Sequence, residues 1–252
     1  WVAGFLWFLT GRRRDRYAVF GWTYLVVVGA FIALKGKNYY VSPVYPIMFA
    51  GGAVALEQFA AGARWRWLRV AYPALLGVAG LVLLPMSVPL LSPEAFLRYE
   101  RRLGLKPPEI EHQRAGPLPQ YFADEFGWED MVREIARVYH ALPPGDQART
   151  VIFSNNWGDA AAVDFFGPRF GLPHAICKND SYWLWGPGEH PGDIAIILQT
   201  DGTGDRKFFA SVEKAGRVEH PWSRRDEWYD IYVCRGPNFD WRTIWPHLKT
   251  FD

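Results

Sequence analysis

The chain has 252 residues, with 28 Lys and Arg against 26 Asp and Glu, and is 50% hydrophobic and 17% aromatic. That average conceals two parts of opposite character: residues 1–92 carry nine basic and two acidic side chains, a net +7, while residues 93–252 carry 19 basic and 24 acidic, a net −5. Such asymmetry excludes a simple soluble enzyme, a disordered chain and a disulfide scaffold, and the near-neutral balance lacks the basic face of a nucleic-acid binder.

Residues 1–10 are apolar but too short to span a bilayer. With neither a Met nor a basic n-region they do not read as a signal peptide. The chain is therefore expected to begin inside a membrane helix whose start lies upstream, as a C-terminal fragment. Residues 17–34 hold no charge, and at ~1.5 Å rise per residue they reach roughly 27 Å, enough to cross a thin hydrocarbon core. Uncharged runs at 39–56, ended by Glu57, and at 70–91 predict two further spans. The membrane part is thus residues 1–92, with spans at about 17–34, 39–57 and 70–91. Pro43 and Pro46 predict a break or kink where the second span begins.

Arginines fix the expected topology. Residues 11–16 (GRRRDR) hold four Arg and residues 63–69 (ARWRWLR) hold three, so both loops face the cytoplasm by the positive-inside rule. Two spans separate them, which puts them on one side by alternation as well. Residues 35–38 and everything after Leu91 then lie outside the cytoplasm. Lys35 and Lys37 stand on the side that normally avoids lysine. Two explanations stay open: ammonium groups snorkelling to the headgroups from a helix end, or contacts to an anionic ligand such as a lipid phosphate. Tyr39, Tyr40 and Tyr45 fit the aromatic belt of a bilayer interface.

Ser92-Pro93 ends the last span, and residues 94–103 (EAFLRYERRL) predict a polar helix. Pro107, Pro108, Pro117 and Pro119 mark residues 104–120 as a linker, so 93–123 is a connector. Across residues 124–142, Trp128, Met131, Val132, Ile135, Tyr139 and Leu142 recur at helical spacing, and Pro143-Pro144 stop the helix. Residues 150–154 (TVIFS) predict a buried strand, Asn155-Asn156 a cap, and 158–166 a helix closed by Gly167-Pro168. Residues 193–200 (DIAIILQT) are the clearest strand; 201–205 (DGTGD) read as a turn, 208–215 as a short helix, 229–235 as a strand and 241–248 as a final helix. The predicted class is a transmembrane α-helical segment followed by a soluble α/β domain at 124–252, its partly parallel sheet flanked by helices.

Most chemical motifs fail. Asp201-Gly-Thr-Gly-Asp205 lacks the later bidentate carboxylate of an EF-hand loop. Cys177 and Cys234 lack a CxxC or His partner spacing, and either a pair or two lone core thiols remains open. His112, His140, His174, His190, His220 and His247 show no ligand spacing. There is no nucleophile elbow, P-loop or dinucleotide fingerprint. Asn179-Asp-Ser181 has the form of a glycosylation acceptor. No cofactor is indicated, and a divalent metal requirement stays open.

Three segments carry a resemblance. Residues 35–46 (KGKNYYVSPVYP), 154–168 (SNNWGDAAAVDFFGP) and 179–187 (NDSYWLWGP) together resemble, in order, the late extracytoplasmic turn and the C-terminal periplasmic domain of bacterial membrane glycosyltransferases of family 39. These are relatives of protein O-mannosyltransferases and of the lipid A aminoarabinose transferase. The resemblance implies a GT-C enzyme of the bacterial inner membrane, multi-pass, that passes a sugar from a polyisoprenyl-phosphate donor to a lipid, glycan or protein acceptor outside the cytoplasm. It implies Lys35 and Lys37 as phosphate contacts, with Tyr39 and Tyr40 shaping the mouth of the site. The family's catalytic acidic residue lies in the first extracytoplasmic loop, and nothing here corresponds to it: Asp15 and Glu57 both fall on the cytoplasmic side. A non-catalytic, membrane-anchored binding or scaffold module is the alternative. The Asn155–Asp159 turn and the aromatic residues 182–185 are weaker candidates for facing an acceptor; capping by Asn, and packing of Trp183 and Trp185 onto the membrane helices, explain them more simply.

Overall fold

A computed structural model describes residues 1–10, 14–104, 116–189, 191–199 and 202–251. They divide into two compact units, Trp1–Val88 and Pro89–Asp252.

The first unit is helical. α1 (Val2–Thr10) and α2 (Arg14–Ala33) are followed by a 3₁₀ segment, Asn38–Val44, and then by α3 (Tyr45–Phe59). A 3₁₀ turn, Ala63–Trp65, precedes α4 (Leu68–Ser87). Arg16–Ala33, Tyr39–Phe59 and Ala63–Ser87 are long and apolar enough to cross a membrane. Residues 11–13 of the first arginine loop lie outside the described residues.

Prolines set the helix ends. Pro43 lies inside the 3₁₀ segment, and Pro46 sits in the first turn of α3, where a missing N–H breaks no helical bond. The last helix stops at Ser87 rather than at Leu91. Val88 is extended, with φ −135° and ψ 136°, because the ring of Pro89 crowds the α conformation of the residue before it.

Glycine brings α1 onto α3. A Cβ on Gly4 would fall 1.8 Å from the Met48 carbonyl oxygen. Close approach through small residues is how helices associate where lipid supplies no hydrophobic drive. Phe8, Tyr24 and Met48 are buried there, whereas α4 carries no buried residue.

In the second unit, Ser92 caps α5 (Pro93–Leu103) by accepting the Ala95 N–H, and left-handed Gly104 follows the helix end. Phe96 is buried edge-on against Phe122 of α6 (Gln120–Ala123), the ring centroids 5.3 Å apart. That contact holds α5 against α6. Residues 105–115 of the predicted linker lie outside the described residues. The order is then α7 (Trp128–His140), α8 (Pro144–Gln147), β1 (Thr150–Ser154), α9 (Trp157–Phe166), β2 (Ala175–Cys177), α10 (Asp180–Trp185), β3 (Ile194–Gln199), β4 (Phe209–Arg217), β5 (Asp230–Pro237) and α11 (Trp241–Leu248).

The sheet runs β2-β1-β3-β5-β4, with β2, β1 and β3 parallel and β5 and β4 antiparallel. Strand alternation sorts its two cores. Ile152, Ile196, Leu198, Ile231 and Val233 meet Val132, Ile135 and Val163 of α7 and α9. Val151, Phe153, Ala195, Ile197 and Cys234 meet Trp241 and Trp245 of α11. Both faces are covered, which is why β1 and β3 read as unbroken apolar runs.

Residues 208–215 are not a helix. Phe208 ends a turn and residues 209–215 fall in β4, an edge strand whose pairing with β5 overrides the weak strand propensity of Ala, Glu and Lys. A register shift between Lys214 and Gly216, together with the charges of Glu213 and Lys214, blunts that edge. β2, three residues long, left no periodicity in the sequence. The cysteine question closes here. Cys177 and Cys234 are free and buried, on opposite faces of the sheet, with β1 and β3 between their strands. At ~4.8 Å per strand that is roughly 14 Å, beyond disulfide reach.

Candidate functional site

The end of α2 builds the lysine turn. The Gly36 N–H donates to the Phe31 carbonyl at 2.8 Å, and the Lys35 N–H donates to the Ile32 carbonyl at 3.2 Å. This Schellman arrangement requires a left-handed residue at the position Lys35 fills, with φ 54°. Glycine is the usual occupant, and a residue with a Cβ costs about 1–2 kcal/mol there. The chain thus keeps a cation where its backbone favours none. Lys37 is extended and leads into the 3₁₀ segment, and its Nζ lies 5.9 Å from the centre of the Tyr39 ring. Tyr39 and Tyr40 lie 4.7 Å apart, and Tyr40 is 6.2 Å from Phe31. All four expected residues, Lys35, Lys37, Tyr39 and Tyr40, are exposed on this one turn. Glu57 lies twelve residues along α3 from Tyr45, roughly 18 Å away, too far to serve as their carboxylate partner.

The Asn155–Asp159 turn divides into two roles. Asn156 caps α9 by accepting the Gly158 N–H at 2.7 Å, while Asn155 is exposed. Asp159 turns inward and is 3% exposed. Among the aromatics, Trp183 and Trp245 exchange bonds: each indole N–H donates to the other's backbone carbonyl at 2.9 Å. Trp183 therefore serves the interior of its own unit. Trp185 packs at 4.5 Å on Tyr182 and remains exposed. Asn179, buried between Cys177 and α10, is no acceptor for a glycan.

A buried ionic cluster escaped the sequence reading. Arg224 bridges Asp124 at 2.6 Å and Glu227 at 2.6 Å, largely shielded from solvent. Asp159 faces this group across a pocket lined also by Trp128, His220, Ser223 and Tyr229, with room for about one water. Burial pushes the Asp159 carboxyl up to about 7; the Ser154 hydroxyl, donating at 3.1 Å, opposes this, Glu227 adds to it and Arg224 opposes it. Burial likewise raises Glu227 and Tyr229. A carboxyl near neutrality is a common mark of acid–base function. The space beside Asp159 is about the size of one water. Only the separation of Asp159 in sequence from Arg224 hid the cluster.

At the opposite end of the sheet an open cleft is lined by Arg149, Asp193, Arg235 and Asp240, and both arginines are paired: Arg149 with Asp146 at 2.8 Å and Asp193 at 3.2 Å, Arg235 with Asp146 at 2.7 Å. Among the described residues no group of three or more His, Cys, Asp or Glu is placed to hold a metal ion. Asp201 of the DGTGD stretch lies outside the described residues; Asp205 begins a 3₁₀ turn and accepts from the Gln199 side chain.

No family model, curated protein or solved structure matches this chain.

Proposed function

We propose that the chain is the C-terminal part of a GT-C glycosyltransferase of family 39 in the bacterial inner membrane. It takes a sugar from a polyisoprenyl-phosphate donor and passes it to a lipid, glycan or protein acceptor at the extracytoplasmic face. The observation that carries this is the exposed turn at the end of the membrane-length helix α2, which holds left-handed Lys35 and, two residues on, Lys37, whose ammonium lies 5.9 Å from the Tyr39 ring. A departing lipid phosphate needs cations that stabilise it and then let it go, which suits a compact ammonium. Broken backbone at the end of a span is tolerated where protein or a wet cavity surrounds it, and the 3₁₀ segment Asn38–Val44 fits that setting. In this account a carboxylate upstream of Trp1 activates the acceptor hydroxyl.

The test is donor kinetics of Lys35→Ala and Lys37→Ala in the full-length protein. A hydrogen bond to a charged group contributes about 1.5–3 kcal/mol, so each variant should lose roughly tenfold or more in donor use while folding and insertion stay intact. Unchanged kinetics for the double variant would leave snorkelling, and with it an anchored scaffold, as the better account.

A further inference from the structure

One cleft of the second unit plays no part in the proposed function. It lies at the end of the sheet where β1 and β3 begin, measures about 430 Å³, and is lined by Arg149, Asp193, Arg235, Phe239 and Asp240. Small ligands occupy spaces of that size. The backbone holds its walls: the Gly236 N–H donates to the Asp193 carbonyl at 3.1 Å, and the Trp241 indole N–H donates to the Gly192 carbonyl at 3.0 Å. Both glycines are left-handed, and a Cβ at Gly192 would run into the Trp241 ring. Polar capacity remains after the internal pairing. Arg149 spends its three nitrogens on the Gly145 carbonyl, Asp146 and Asp193. Arg235 gives one N–H to Asp146, and the others of its guanidinium have no partner among the described residues. Asp193 accepts from Arg149 through Oδ2, and its Oδ1 has no partner among the described residues. Phe239, edge-on to Trp241 at 5.0 Å, joins Pro191 and Pro237 as the apolar lining.

We infer that this cleft binds a neutral saccharide. A sugar hydroxyl both donates and accepts, so a ring carrying several can use the spare N–H groups of Arg235 and the spare carboxylate oxygen of Asp193 at once. The C–H face of the same ring suits Phe239 and the two prolines. Charge argues against the other ligand classes. Asp146, Asp193 and Asp240 outnumber Arg149 and Arg235, so a phosphate or carboxylate would enter net negative surroundings. A cation would have to compete with two guanidiniums already bound to those carboxylates. An apolar ligand would desolvate charged walls without returning their hydrogen bonds. Walls fixed in advance lower the ordering cost of binding. The inference concerns the second unit alone. It requires neither a lipid-linked donor nor a particular side of a membrane, and it stands or falls apart from the glycosyltransferase proposal.

The experiment is saturation-transfer NMR on the full-length chain in phosphatidylcholine nanodiscs, whose lipids carry no sugar, with maltose, mannobiose and chitobiose as probes. At least one of the three should give saturable transfer. Arg235→Ala and Asp193→Ala should each weaken that binding roughly tenfold or more, because each removes hydrogen bonds to a charged group. Arg133→Ala, exposed on α7, should leave it unchanged. The Asp193 side chain is half exposed and bonds Arg149 alone, so its removal tests the site without disturbing the Asp146 pairs, and unchanged near-ultraviolet circular dichroism confirms the fold. No saturable transfer from any of the three sugars, binding that ignores both variants, or displacement of the sugar by inorganic phosphate or glycine betaine would each overturn the inference, the last in favour of a charged ligand.

Discussion

Replacing Asp159 with Asn should stabilise the second unit at alkaline pH, against the usual expectation for a buried polar position. The carboxyl titrates near 3.8 when exposed and is pushed up to about 7 in the fold, chiefly by burial. Between those values the folded state holds a proton the unfolded chain has released. The stability this group contributes is therefore complete below about pH 4 and is lost as pH rises through about 7. At about 1.36 kcal/mol per unit the loss is on the order of 4 kcal/mol at pH 8, an upper figure, and half of it is already incurred by about pH 5.5. Asn keeps the shape and an acceptor for the Ser154 hydroxyl but never ionises. The stability gap between variant and parent should widen by roughly 2 kcal/mol from about pH 5.5 to 8. Thiol labelling in urea reads this selectively, because the chain's two cysteines both lie in the second unit and are free and buried. Both thiols are fully buried, so labelling requires opening. A variant less stable at pH 8, or a gap that ignores pH, would show that Asp159 is an anion held by Arg224 and refute the reasoning.

Three further outcomes are expected. Asn156→Ala should cost the second unit about 1 kcal/mol through its lost cap, while Asn155→Ala stays within about 0.5 kcal/mol, both by the same thiol assay. Gly4→Ala should lower the thermal stability of the first unit by about 1–3 kcal/mol by forcing α1 from the Met48 carbonyl. Gly29→Ala, whose Cβ meets nothing within 4 Å, should not. Lys35→Gly should relieve the left-handed turn by about 1 kcal/mol in a denaturation assay yet impair donor use as Lys35→Ala does, separating backbone from charge.

Much of the layout was legible because it rests on local signals. Charge-free runs marked the three membrane-length helices, and the buried runs at Thr150–Ser154 and Ile194–Gln199 announced the central strands. Pro43 and Pro46 disclosed the irregular start of the second span, and Asn156 the cap of α9. What stayed hidden depends on partners distant in sequence. β4 looks helical until β5 lies beside it, and β2 is too short to show a period. The ion cluster joins Asp124 to Arg224 and Glu227 across a hundred residues, so no motif could display it. Trp183 was expected to face membrane helices; its reciprocal bonds with Trp245 turn it inward. Only the lysine turn among the site candidates was complete in the sequence, and even there the left-handed strain at Lys35 came from structure alone.

The proposed function requires the acidic unit to lie outside the cytoplasm, and one labelling measurement reaches that placement directly. Arg133 lies exposed on α7, so Arg133→Cys adds an accessible thiol to a unit whose own two are buried, with the unsubstituted full-length protein as the labelling control. A membrane-impermeant maleimide should modify it in cells whose inner membrane is intact. Modification only after that membrane is breached would put the unit in the cytosol and contradict both the orientation and the sugar transfer assigned to it.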